Sequence, residues 1–117
     1  MQLAVDHTST TPPYEQVRVQ LLERMQRGSL PAGSRLPTVR QLAADLDLAP
    51  GTVARAYKEL ESIGAIETHG RAGTVVAWSA DAAERAAQQL VSQLVATARE
   101  SGVTDERLRE LFTAALD

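Results

Sequence analysis

Residues 36–64 read LPTVRQLAADLDLAPGTVARAYKELESIG, two short helices joined by a tight turn. Thr38-Val39-Arg40-Gln41 is a capping box, in which the Thr38 hydroxyl accepts from the backbone three residues on and Gln41 reaches back to the Thr38 N–H. Val39, Leu42, Ala43 and Leu46 recur at helical spacing and form the inward face of the first of these helices. Asp47-Leu48-Ala49 makes the turn. Pro50 opens the next helix at its first position, where a missing N–H forfeits no hydrogen bond. Val53, Ala56, Tyr57, Leu60 and Ile63 form that helix's buried stripe, and Gly64 ends it.

Working outward, Pro12-Pro13 starts a longer upstream helix with Tyr14, Val17, Leu21, Leu22 and Met25 on one face, closed at Gly28. Residues 29–37, SLPAGSRLP, are an irregular connection. Downstream, the β-prone runs Ala65–His69 and Thr74–Trp78 flank Gly70-Arg71-Ala72-Gly73 and predict a hairpin. Helix, short helix, turn, helix, hairpin is the order of a winged helix-turn-helix, mainly α with a small β-hairpin. The tail is helical. Ala83, Ala87, Leu90, Val91, Leu94, Val95 and Ala98 line one helix, Ser101-Gly102 breaks it, and Thr104 caps another bearing Leu108, Leu111, Phe112, Ala115 and Leu116. The expected division is a flexible lead-in over 1–11, a winged domain over 12–78 and a helical dimerisation region over 79–117.

Composition removes most other classes. Hydrophobic residues make up 44% and charged residues 23%, near the average of a folded soluble domain. The absence of Cys excludes disulfides, thiolate nucleophiles and zinc-finger ligands. His7 and His69 are the only histidines and Lys58 the only lysine, so a multi-His metal site or a Schiff-base cofactor lacks its parts. No enzyme, cofactor or metal is expected. The apolar runs fall short of a membrane span and Met1–Asp6 lacks the character of a signal peptide, so a cytoplasmic chain with no membrane partner is expected.

The net charge of −3 is unevenly placed. Residues 1–78 carry eight Lys and Arg against eight Asp and Glu, whereas 79–117 carry four Arg against seven acids. Attraction to a polyanion must therefore come from a local face and not from the sum. In a winged helix-turn-helix the second short helix lies in the major groove and the hairpin reaches the flanking backbone or minor groove, so double-stranded DNA is the expected partner.

Four stretches resemble GntR-type transcription regulators: Pro13-Tyr14-Glu15-Gln16-Val17, Gly33 through Ala43, Thr52 through Glu61, and Gly64-Ala65-Ile66-Glu67. The likeness spans roughly residues 12–78, and the short tail looks like that of the YtrA-like branch. It implies a bacterial repressor that binds an inverted-repeat operator as a homodimer.

Candidate DNA contacts follow residue by residue. The resemblance implies a DNA contact at Arg40, which lies opposite Leu42 and Leu46 and offers a forked donor to a phosphate or guanine; otherwise it is a solvated charge. Thr38 caps a helix whose N-terminus also suits a phosphate, and Arg35 precedes it on the connection as a backbone contact. Pro50 and Gly51 depart from relatives that carry a longer polar or basic residue at position 50, which shifts weight to Thr52, Arg55 and exposed backbone amides. Arg55 reaches a phosphate or base edge, or pairs with Glu59 one turn on. At the wing, Gly70 permits a tight turn and Arg71 suits a narrow minor groove. His69 is either a surface residue or, as the resemblance implies, a wing contact.

In the tail, Leu90, Leu94, Leu108, Leu111 and Phe112 are expected to meet a second copy, or to fold back on the chain's own winged domain. An unidentified small-molecule effector between the tail helices or at the dimer seam is left open. Winged helices also serve as protein–protein interaction modules, with the recognition helix buried against a partner. That use needs an apolar outer face, whereas this helix offers Thr52, Arg55, Lys58 and Glu59.

Overall fold

The computed structural model describes residues 2–117. The chain divides into two compact units between Ala80 and Asp81. The first holds helices α1 (Pro13–Gln26), α2 (Val39–Leu46) and α3 (Pro50–Ser62), then strands β1 (Ile66–Thr68) and β2 (Thr74–Val76) joined by a single 3-10 turn at Gly70–Ala72. The second is formed by α4 (Ala80–Glu100) and α5 (Asp105–Leu116).

The first unit closes around one apolar cluster. Val17, Leu21 and Met25 of α1 meet Leu42 and Ala43 of α2 and Val53, Ala56, Tyr57 and Leu60 of α3, with Leu36, Ala65, Ile66 and Val76 completing it from the hairpin side. Leu21 and Leu60 are fully buried, so truncating either to Ala costs about 2–5 kcal/mol. Ile63 departs from the expected stripe and stands 57% exposed. It is the C-cap of α3, the last residue before the chain turns at Gly64 into β1, and the cover over the stripe stops at Leu60.

Local chemistry sets the helix ends. Thr38 and Gln41 form both halves of the capping box, at 3.1 and 3.0 Å. After α2 the backbone takes the left-handed conformation at Asp47 (φ 55°), which Asp tolerates better than most residues. The Leu48 N–H then donates to the Ala43 carbonyl at 2.9 Å, which tightens the turn before Pro50.

Strands β1 and β2 pair antiparallel, with Ile66 opposite Val76 and Thr68 opposite Thr74. The connection before α2 is more regular than its prolines suggest. Leu36 N–H donates to Thr74 O and Val76 N–H to Ser34 O, both at 2.8 Å, so residues 34–36 run along the free edge of β2.

The lead-in expected to be flexible is held against α1. Gln20 accepts from the Ala4 N–H at 3.1 Å and donates to the Ala4 carbonyl at 2.7 Å. Gln16 treats Asp6 the same way, at 2.9 and 3.0 Å. Two glutamines one turn apart thus act as the edge of a neighbouring strand, and Leu3 and Val5 pack against the core cluster beside them.

In the second unit, α4 ends in a left-handed Gly102 (φ 85°), and the Val103 N–H donates to Ala98 O at 2.8 Å. Thr104 caps α5 by accepting from the Arg107 N–H at 3.1 Å. No helix among the described residues is long and apolar enough to cross a membrane.

Candidate nucleic-acid interface

The approach to α2 and the middle of α3 are fixed to each other. The Tyr57 hydroxyl, on α3, donates to the Pro37 carbonyl at 2.7 Å, just ahead of the Thr38 cap. Burial pushes the Tyr57 phenol up to about 12, so it stays a neutral donor at ordinary pH. Arg40 follows in the first turn of α2, exposed and without an ion pair among the described residues. Thr52, in the first turn of α3, is half-buried, with its N–H on the Ala49 carbonyl at 3.0 Å. Nothing lies within 4 Å of the Cβ position at Gly51, so the α3 backbone is open there.

Arg55 makes no ion pair with Glu59 among the described residues. Its guanidinium lies over the Tyr14 ring of α1 instead, 3.7 Å from the centroid. Glu59 keeps one oxygen, Oε2, shielded from solvent and without a hydrogen-bond partner among the described residues. In the sequence Tyr14 reads only as one more residue on the apolar face of α1.

The wing is braced on both sides. His69 N–H donates to Gly73 O at 2.8 Å across the turn, and Thr68 donates its hydroxyl to Glu61 Oε2 on α3 at 2.9 Å. The His69 imidazole lies 3.0 Å from the Glu67 carboxylate, so it is engaged within the wing. Gly70 and Arg71 form the exposed tip. Arg35, beside Val75 at the wing edge, lays its guanidinium over Gly73, where an added Cβ would sit 2.9 Å from Nε. The structure therefore joins Arg35 to the wing, a partnership no local spacing foretold.

In the second unit Leu90, Leu94, Leu111 and Phe112 are exposed, between 43% and 64%, and Leu108 is half-buried. Val91, Leu94, Val95, Leu108 and Phe112 line a cleft of about 230 Å³ between α4 and α5. The cleft is edged by Arg99 and Asp105, paired through two hydrogen bonds of 3.1 and 3.0 Å. The guanidinium's hydrogen bonds hold the Asp105 carboxyl below the usual carboxylate range and raise Arg99 in turn.

Three helices closed by a hairpin, with a capped, turn-linked pair at their centre, define a winged helix-turn-helix protein with a helical tail. The pattern of bacterial regulatory proteins of the gntR family matches residues 13–76, and the chain belongs to that family. It is 43% identical over 115 residues to the HTH-type transcriptional regulator Rv1152 of Mycobacterium tuberculosis, covering 98% of this chain and 94% of that one. It is 36% identical over 113 residues to the HTH-type transcriptional repressor YtrA of Bacillus subtilis, covering 92% and 87%. Among solved structures, YtrA from Sulfolobus acidocaldarius, a GntR-family transcription factor, is 30% identical with a TM-score of 0.61, covering 79% of this chain and 95% of that one. Since these likenesses run into the tail, they place the chain in the YtrA-like branch.

Proposed function

We propose that this chain is a cytoplasmic transcription repressor that binds an inverted-repeat operator in double-stranded DNA as a homodimer. The observation that carries the reading is the polar outer side of α3, with Thr52 and Arg55, flanked by Arg40 on α2 and by Arg35 and Arg71 at the wing. Thr38, Thr52 and Arg35 serve as phosphate contacts in this reading. Arg40 and Arg55 serve as groove or backbone contacts, and His69, Gly70 and Arg71 as the wing's approach. The repressor named YtrA supports the direction of regulation.

The exposed Leu90, Leu94, Leu111 and Phe112, with half-buried Leu108, support a tail that buries its apolar faces against a second copy. An unidentified small-molecule effector, if the protein answers to one, has the cleft between α4 and α5 as its candidate place. The test is selection from a random DNA pool at two salt concentrations, followed by sequencing of the retained fraction. An enriched inverted repeat supports both specificity and two-fold binding. Retention without enrichment at either salt sinks the operator reading.

A further inference from the structure

Arg55 has two places to rest and takes the less obvious one. Glu59 lies one turn further along α3, at the spacing that pairs opposite charges on a helix surface, and its Oε2 has no hydrogen-bond partner among the described residues. The guanidinium nevertheless stacks on Tyr14, 3.7 Å from the ring centre. Among the described residues no guanidinium N–H of Arg55 is given to a protein acceptor.

A stacked guanidinium uses its face and leaves its edge, a rigid fork of donors, directed outward in the plane. Tyr14 is half-buried in the first turn of α1, behind Pro13, whereas Arg55 is exposed. The ring belongs to a helix packed on α3, so it restrains a long side chain that would otherwise lose rotamer freedom on meeting a ligand.

We infer that Tyr14 is a positioning residue for DNA, holding Arg55 so that its free edge meets a backbone phosphate beside the groove that α3 enters. The inference rests on the DNA-binding reading above. A phosphate is favoured over a base because the stack ties the Arg55 guanidinium to Tyr14 of α1, the helix packed on α3, and so limits how far it can extend into the groove. Tyr14 touches no DNA in this scheme and acts through Arg55.

The test uses the duplex enriched from the random pool and a scrambled duplex of equal length, with the full chain carrying Tyr14→Phe, Tyr14→Leu, Arg55→Gln, or Tyr14→Leu with Arg55→Gln. Arg55→Gln weakens binding to both duplexes and lowers the slope of log affinity against log salt by about 1. Tyr14→Phe keeps the ring and binds as the parent does. Tyr14→Leu weakens binding about threefold, within the range of an exposed cation–π contact, and does nothing further once Arg55 is Gln. Thermal unfolding of each variant is followed alongside. An equal loss from Tyr14→Leu in both backgrounds overturns the inference, since the ring would then act through the fold. A loss confined to the enriched duplex also overturns it, since Arg55 would then read a base. Failure of the unaltered protein to bind either duplex removes the DNA reading itself, an outcome distinct from both.

Discussion

The Tyr57 hydroxyl donates to the Pro37 carbonyl at 2.7 Å and so ties the middle of α3 to the residue that precedes the cap of α2. The turn at Asp47 sets how the two helices leave one another, and Tyr57 sets how far apart their frames settle. Replacing Tyr57 by Phe leaves the part-buried Pro37 carbonyl without this donor. A loss of about 1–3 kcal/mol in denaturant unfolding is expected.

The same residue gives a pH dependence with a definite sign. Burial raises the Tyr57 phenol from 10.0 in the unfolded chain to about 12 in the folded one. The folded state therefore favours the neutral phenol. This contribution is complete below about pH 10 and is lost as pH climbs toward 12. Alkaline unfolding followed by circular dichroism should show that component in the parent and lack it in Tyr57→Phe. Parallel profiles for the two proteins would contradict the burial argument.

Arg40→Ala is expected to weaken operator binding by about 1–3 kcal/mol and leave the melting temperature unchanged. The side chain is exposed and has no ion pair among the described residues, so the fold does not depend on it. Electrophoretic mobility shift and thermal unfolding separate the two effects. A fall in melting temperature that accounts for the lost binding would make Arg40 structural.

Gly73 has φ 83° and ψ −162°, a region essentially restricted to glycine. Gly73→Ala adds backbone strain of about 1–3 kcal/mol and displaces the Arg35 guanidinium, whose Nε lies 2.9 Å from the new carbon. Both a lower melting temperature and weaker DNA binding are expected, with the second exceeding what unfolding explains. Arg35→Gln in the same background should then cost little further binding, as a double-mutant cycle will reveal.

The tail is tested by Leu94→Glu. Leu94 is 43% exposed and lines the apolar cleft between α4 and α5. Sedimentation equilibrium should report two chains for the parent and one for the variant, with the unfolding of the first unit unaltered. A parent that sediments as a single chain at tens of micromolar would end the homodimer reading.

Much of this was legible because its causes are local. The Thr38–Gln41 box, Pro50 at a helix start and Gly64 at a helix end each act within four residues, and each sets its element as read. What escaped was interaction at long range through groups without periodicity. Residues 34–36 join β2 across some forty residues of chain by backbone bonds alone, behind prolines that suggest irregularity. Gln16 and Gln20 hold the lead-in with side-chain amides, which leave no apolar pattern to read. At the candidate interface the charged residues were legible by type, but their partners were not. Arg55 rests on Tyr14 and Arg35 on Gly73, and both contacts join segments far apart in sequence.

The glutamine clamp on residues 4–6 bears on the order in which the molecule comes apart. Its hydrogen bonds, at 2.7 to 3.1 Å, involve exposed groups that water can replace one at a time, whereas the contacts of Leu21 and Leu60 break only with the whole unit. The amides of Ala4 and Asp6 therefore exchange with solvent deuterium through a shallow opening that leaves α1 intact. The lead-in behaves as a latch that releases well before the helices behind it yield.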